Sequence, residues 1–128
     1  MFCYEGSIFV AGSAIQWLRD KMLFFKDSKE TGNLYLKANK NENVIVVPAL
    51  TGLGAPHWQP HTRGAIFGLT RNTSQADIIK GTLDSLAFQT LDLIESMEKD
   101  AKIAISEIRV DGGMINNNSF LQSLSNIT

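Results

Sequence analysis

The residues best suited to bind a ligand lie in residues 109–118, which run RVDGGMINNN. A short apolar segment leads into Gly112 and Gly113, and an asparagine cluster then opens a helix. Glycine lets a backbone approach a ligand without a Cβ in the way, and a helix start offers unpaired N–H groups and the positive end of the dipole. The pattern is typical of a phosphate- or nucleotide-binding turn. An ordinary strand-to-helix connection uses the same residue types and stays open as the alternative.

A second group with possible chemistry is His57, Trp58 and His61, in a loop rich in glycine and proline. Histidines bind metals, but two of them with no cysteine and no nearby carboxylate make a poor ligand set. We therefore predict no metal site here. Instead, we expect Trp58 to pack the loop between Pro56 and Pro60.

Composition excludes several classes of partner. The chain has 128 residues, of which 44% are apolar and 20% charged, so it has the size of one domain and is too apolar to be disordered. A net charge of -1 with scattered Lys and Arg argues against nucleic acid and anionic membranes. No apolar run approaches the roughly 18 residues of a membrane helix. The single cysteine, Cys3, is compatible with a reducing compartment, and we predict a cytoplasmic protein.

The elements that would position these residues alternate between strands and helices. Strands are predicted at residues 7–11, 44–47, 65–69 and 108–111, and helices begin at Gly12, after Ser74 and at about Asn118. Such alternation predicts an α/β fold with helices packed on a sheet. The polar segment 27–43 is predicted to be a loop or short surface helix, and it is the best linker candidate.

The helix after Ser74 is the most strongly patterned element. Ser74 and Asp77 have the spacing of a capping box. Apolar residues then recur on one face for about six turns, and we expect this stripe to pack on the sheet. Its members are Ile79, Leu83, Leu86, Ala87, Thr90, Ile94 and Met97.

Four blocks of sequence together resemble a known family. Residues 5–20, 47–56, 63–71 and 109–117 are similar, in order and spacing, to the C-terminal, nucleotide-binding domain of glycerol kinases in the FGGY carbohydrate kinase family. The resemblance covers nearly the whole chain from Glu5 onward. It implies an α/β fold that is part of an actin-like ATPase (ribonuclease H-like) domain, with a mixed sheet packed by helices. Residues 1–128 would then form a single incomplete domain.

The resemblance also implies binding residues. Gly12 and Gln16 match family positions that line the nucleotide site at the start of the first helix. Gly113 and Asn117 match positions that contact the adenine nucleotide from the double-glycine turn. ATP and Mg are the implied cofactors. From the residues alone, Gln16 could equally be an exposed helix side chain, and Asn117 a helix cap.

The family's catalytic aspartate, glycerol-binding residues and phosphate loop match no residue of this sequence, so no catalytic or metal-binding residue is assigned. The resemblance implies part of an ATP-dependent glycerol kinase that contributes the adenine-nucleotide side and is inactive alone. Its partners would be ATP or ADP, glycerol only through segments absent from this chain, and a homo-oligomer or a complementing N-terminal kinase portion. The alternative is a non-catalytic product of a split or decaying gene, at most a weak nucleotide-binding or interaction module. A related sugar kinase is a third possibility.

Overall fold

The computed structural model describes residues 3–128, which form four α-helices and a small sheet. Two short 3₁₀ turns, Ser28–Glu30 and Gly113–Asn116, precede the second and fourth helices. In chain order the elements are α1 (Gly12–Asp20), α2 (Thr31–Leu36), β1 (Ile45–Val47), β2 (Ala65–Phe67), α3 (Gln75–Ala101) and α4 (Asn118–Ile127).

Strands β1 and β2 form an antiparallel pair in which Val46 lies opposite Ile66. They confirm the two middle predicted strands, each shortened to three residues. The predicted strands at residues 7–11 and 108–111 do not form, so these two predictions are wrong. The physical reason is pairing: a strand needs a neighbour for its N–H and C=O groups, and within residues 3–128 neither segment finds one.

Helix α3 begins and ends at residues with suitable local chemistry. The predicted capping box is confirmed, because the Ser74 hydroxyl accepts from the Asp77 N–H while the Asp77 carboxylate accepts from the Ser74 N–H. The helix ends at Ala101, and the C-cap residue Lys102 has a left-handed backbone with φ 56°. Helices α1 and α4 also start where the sequence predicts, at Gly12 and Asn118.

The core is built mainly from helices packed on helices. The first half of the α3 stripe, from Ile79 to Ala87, lies against side chains of α1 and α4, which corrects the expectation that the stripe packs on a sheet. The two-stranded sheet is too narrow to cover a helix of 27 residues. The buried cluster consists of Ile15, Leu18, Phe25, Ile79, Leu83, Leu86, Ala87, Phe120 and Leu124.

One flank of α3 does contact the sheet, at Gly81. A Cβ built on Gly81 would lie 2.7 Å from the Val44 carbonyl oxygen and 3.1 Å from Val46 Cγ2. Real Cβ atoms do not approach a backbone oxygen so closely, so the glycine allows the helix to pack directly on β1.

The polar segment 27–43 contains the predicted short helix, but it is packed against the core and is not a linker. It contains the turn Ser28–Glu30 and helix α2, and Thr31 at the start of α2 is 2% exposed. Tyr35 on the same helix donates a hydrogen bond to Asp84 Oδ1 at 2.8 Å, and the Ser123 hydroxyl of α4 donates to the same oxygen at 2.7 Å. Asp84 on α3 therefore fixes α2 and α4 relative to each other.

Helices long and apolar enough to cross a membrane are not found among the described residues.

Candidate functional site

All four residues predicted to bind nucleotide line one cleft. Gly12 and Gln16 contribute from the first turn of α1, and Gly113 and Asn117 from the segment that leads into α4. A third wall is formed by residues 27–36, the turn Ser28–Glu30 and helix α2. Most of the side chains that line this cleft are polar, and we call it the polar cleft. Its volume is about 730 Å³, within the range of small-molecule sites. The structure thus brings together residues about a hundred positions apart, and their binding of nucleotide stays a prediction.

At two glycines of the polar cleft, neither a steric contact within the chain nor the backbone conformation requires glycine. A Cβ built on Gly12 or Gly113 meets no atom within 4 Å, and neither residue has a left-handed backbone. Alanine would therefore fit both positions in the folded chain. Both glycines therefore leave open space beside the backbone at the cleft.

The two amide side chains of the cleft differ in how firmly they are held. Gln16 is exposed, and its amide makes no hydrogen bond to any of the described residues. Asn117 is half-buried and caps α4, because its Oδ1 accepts from the Phe120 N–H at 3.0 Å. The helix-cap alternative for Asn117 is therefore correct as a description of the structure. It does not exclude ligand contact, since an amide has two donor hydrogens and two acceptor lone pairs.

Asn117 also joins α4 to the third wall. Its Nδ2 donates to Thr31 Oγ1 at 3.0 Å, and the Thr31 hydroxyl donates in turn to the Ser28 carbonyl oxygen at 2.6 Å. A second link runs in parallel, because the Ser119 hydroxyl donates to the Gly32 carbonyl oxygen at 3.0 Å. These bonds fix the distance between two walls of the polar cleft.

The third wall was missed by the sequence analysis, although a signal for it exists. Asp27 and Glu30 have capping-box spacing, and both halves of the box form. Asp27 Oδ1 accepts from the Lys29 N–H at 2.9 Å, and Glu30 Oε1 accepts from the Asp27 N–H at 2.9 Å. This spacing in an otherwise polar stretch would have predicted an ordered turn rather than a linker.

Charged side chains of both signs lie at the polar cleft. Arg19 and Lys29 line it together with one carboxylate, Asp27. The Arg19 guanidinium donates two hydrogen bonds to Asp20, at 2.6 Å and 3.0 Å. These bonds raise the pKa of Arg19 and lower that of Asp20, so both stay charged near neutral pH and the charge of Arg19 is offset by Asp20.

The double-glycine turn is shaped by Asp111 and Gly112. Asp111 Oδ1 accepts from the Gly112 N–H at 2.7 Å, and Gly112 has φ 93°, which favours glycine. Both residues are exposed, and neither lines the polar cleft.

The loop with two histidines differs from the prediction. Trp58 is 62% exposed and makes an edge-on contact with Phe9, with ring centroids 6.1 Å apart, instead of packing between prolines. A carboxylate does lie close by: His57 Nε2 is 3.2 Å from Asp92 Oδ2 on α3, a neighbour distant in sequence. Within residues 3–128, groups of three or more His, Cys, Asp or Glu side chains suited to a metal are not found.

Comparison with known proteins assigns the family. The model of the C-terminal domain of the FGGY family of carbohydrate kinases matches residues 1–128. The chain belongs to this family. The FGGY chain is 53% identical over 126 residues to the glycerol kinase of Pediococcus pentosaceus, a match that covers 98% of this chain and 25% of that protein. It spans about a quarter of the length of the curated relatives that it matches.

Solved structures show the same fold. A crystal structure of Plasmodium falciparum glycerol kinase with ADP aligns with a TM-score of 0.86 at 37% identity. The alignment covers 93% of the FGGY chain and 24% of the Plasmodium falciparum chain. Gluconate kinase from Lactobacillus acidophilus aligns with a TM-score of 0.77 at 22% identity, over 94% of this chain and 25% of that one. The predicted fold class is confirmed: the chain is part of an α/β actin-like ATPase domain.

Proposed function

We propose that this chain supplies the adenine-nucleotide-binding side of an ATP-dependent glycerol kinase. The complete enzyme would transfer the γ-phosphoryl group of ATP to glycerol and give glycerol 3-phosphate. The relatives at about 50% identity carry the name glycerol kinase, which supports glycerol rather than a sugar as the acceptor. Since the chain spans a quarter of those relatives, we propose that it is inactive alone and acts with the remaining part.

The observation that carries the proposal is the open backbone at Gly12 and Gly113. The two glycines lie in one cleft, and a Cβ would meet no atom of the chain at either of them. The N-terminus of α1, where Gly12 lies, favours an anion through its N–H groups and dipole. A nucleotide is a ligand that needs both features, since it has a flat base and a charged phosphate chain.

Each residue of the polar cleft has a role in this proposal. The Gly12 and Gly113 backbones would allow close approach, and the Gln16 and Asn117 amides would hydrogen-bond the base or ribose. Lys29 would add positive charge near the phosphates, whereas the charge of Arg19 is offset by Asp20. Mg²⁺ would neutralise the phosphates and arrive with them, since Mg²⁺ is usually held by substrate phosphates and only one or two carboxylates. We also propose a cytoplasmic location, which the single cysteine supports.

The first test is ADP binding to the purified chain by calorimetry, with Gly12→Ala and Gly113→Ala as variants. Both should fold with a melting temperature no lower than that of the wild type, because the added methyl group has open space. Both should weaken ADP binding by about tenfold or more, because the methyl group occupies the ligand's position. Ser13→Ala is the matched control: Ser13 is exposed, neighbours Gly12 and does not line the polar cleft, so ADP affinity should stay unchanged.

A glycerol phosphorylation assay extends this test to the whole reaction. The chain is assayed alone and with a separately expressed N-terminal portion of a glycerol kinase. Activity only in the mixture would support a complementing half of the enzyme. A folded chain that neither binds ADP nor responds to the added portion would contradict the proposal and favour a non-catalytic product.

A further inference from the structure

The amide of Asn117 is held in one orientation by a directional chain of hydrogen bonds. The Phe120 N–H can only donate, so the Asn117 atom that faces it must be the oxygen. The other atom, Nδ2, therefore faces Thr31 Oγ1 at 3.0 Å. The Thr31 hydroxyl gives its own hydrogen to the Ser28 carbonyl oxygen at 2.6 Å, so it is free to accept from Nδ2. Each donor and acceptor in this chain has an assigned role.

In this orientation, the Asn117 amide keeps one donor and one acceptor with which it can bind a ligand. Within residues 3–128, Nδ2 uses one of its two hydrogens and Oδ1 uses one of its two lone pairs. One N–H and one lone pair of Asn117 remain, on a residue that lines the polar cleft. An amide that offers one donor beside one acceptor complements the N6 donor and N7 acceptor edge of adenine. Guanine presents two acceptors, O6 and N7, on the same edge, so the Asn117 amide can hydrogen-bond only one of the two, through its free N–H.

We propose that Thr31 is a positioning residue that sets base selectivity by fixing the Asn117 amide, an inference that rests on the proposed nucleotide site. Thr31 is 2% exposed and lies on the third wall, so it acts through Asn117. Without its hydroxyl, the amide loses the partner that holds Nδ2. The Phe120 N–H still holds Oδ1, but the amide is then freer to swing about that bond. Its free N–H and lone pair no longer stay aligned with the adenine edge, and the cleft accepts either base more equally.

The test measures the dissociation constants of ADP and GDP, which carry the same phosphates, for the wild type, Thr31→Val and Thr31→Ser. Loss of one positioned hydrogen bond should weaken ADP binding by about fivefold in Thr31→Val, and the preference for ADP over GDP should fall by a similar factor. Thr31→Ser keeps the hydroxyl and should retain the wild-type preference. Equal weakening of ADP and GDP in Thr31→Val would mean a merely structural role and would overturn the inference.

Thr82→Val is the matched control for loss of a buried threonine hydroxyl. Thr82 is fully buried, and its hydroxyl donates within α3 to the Ile78 carbonyl oxygen at 2.8 Å, away from the polar cleft. It should lower the melting temperature and leave the ADP preference unchanged. A reduced preference in Thr82→Val would show that general destabilisation causes the effect, which also overturns the inference.

A measurement on the wild type keeps the inference testable if Thr31→Val does not fold. The two Asn117 Nδ2 protons are followed by NMR as ADP is added. A large shift of one proton is expected, because the other is already bonded to Thr31. ADP binding without a shift of either proton overturns the inference alone, whereas failure of the folded wild type to bind ADP overturns the proposed function and this inference together.

Discussion

At the scale of single residues, the Asp77 carboxylate accepts three hydrogen bonds at the start of α3. It accepts from the Ser74 hydroxyl at 2.6 Å, the Ser74 N–H at 2.7 Å and the Asn39 N–H at 2.6 Å. The side chain thus caps α3 and also ties it to the loop that follows α2. Burial by itself would raise the pKa of Asp77, but these hydrogen bonds outweigh it and lower the pKa below 3.8.

Asp77→Asn should destabilise the folded chain by about 1–2 kcal/mol near neutral pH, because a charged acceptor is lost from a buried cap. The folded-state pKa is lower than the unfolded value of 3.8, so the carboxylate stabilises the fold above that pH. The contribution disappears as the pH falls through the folded-state pKa. Urea unfolding at several pH values should therefore show the wild-type advantage shrinking below pH 3.8.

Asp100→Asn is the control for this measurement. Asp100 is an exposed carboxylate near the other end of α3, so its replacement should change stability by less than about 0.5 kcal/mol. An Asp77→Asn difference that stays constant into acid would contradict the assignment of the lowered pKa to the capping carboxylate.

Residue patterns predicted the local chemistry of the site better than its partners in space. The capping role of Asn117 and the box at Ser74 both depend on residues within three positions, and both were available from spacing. The contact of Asn117 with Thr31 and that of His57 with Asp92 join residues 86 and 35 positions apart. Sequence spacing contains no information on such pairs until the helices are docked.

At the level of elements, α3 and β1 are held together by a contact that only glycine permits. Gly81→Ala would place a methyl group 2.7 Å from the Val44 carbonyl oxygen, which belongs to backbone and cannot turn aside. Alanine in a helix gains about 1 kcal/mol in propensity, but overpacking costs about 1–3 kcal/mol. We expect net destabilisation of about 1 kcal/mol, measured as a lower urea midpoint with an unchanged m-value.

Gly12→Ala provides the comparison, because it is also a helix glycine but one with open space around its Cβ. Because no clash opposes the gain in helix propensity, its midpoint should be equal to or higher than that of the wild type. Equal midpoints for Gly81→Ala and the wild type would mean that α3 can move away from β1 at little cost.

Elements with their own local signals were predictable, and elements that depend on a neighbour were not. Helices α1, α3 and α4 follow from apolar spacing and caps, and each starts where predicted. Segments 7–11 and 108–111 have the composition of strands but lack pairing, so their apolar content alone predicted them wrongly. Strands β1 and β2 form because each finds its pairing partner in the other.

For the molecule as a whole, apolar side chains remain exposed, among them a run in residues 103–110. Ile103, Ile105, Ile108 and Val110 are between 38% and 69% exposed, and they lie in a segment without regular structure. Exposed apolar side chains of this kind favour association with another surface. The expected homo-oligomer or complementing kinase portion would cover them, and that expectation stays a prediction.

The uneven burial of α3 has a consequence for motion. The helix is about 40 Å long, yet its buried residues all lie between Ala76 and Ala87, and from Gln89 onward every residue is at least partly exposed. One half of a single helix is thus anchored in the core, while the other half makes only partly buried contacts, such as Asp92 with His57 and Leu93 with Gly6. Amide hydrogen exchange should show a step near residue 88: amides before it exchange only when the chain unfolds globally, and those after it exchange by fraying at least tenfold faster. Uniform protection along α3 would mean that the second half has a partner, such as another copy of the chain.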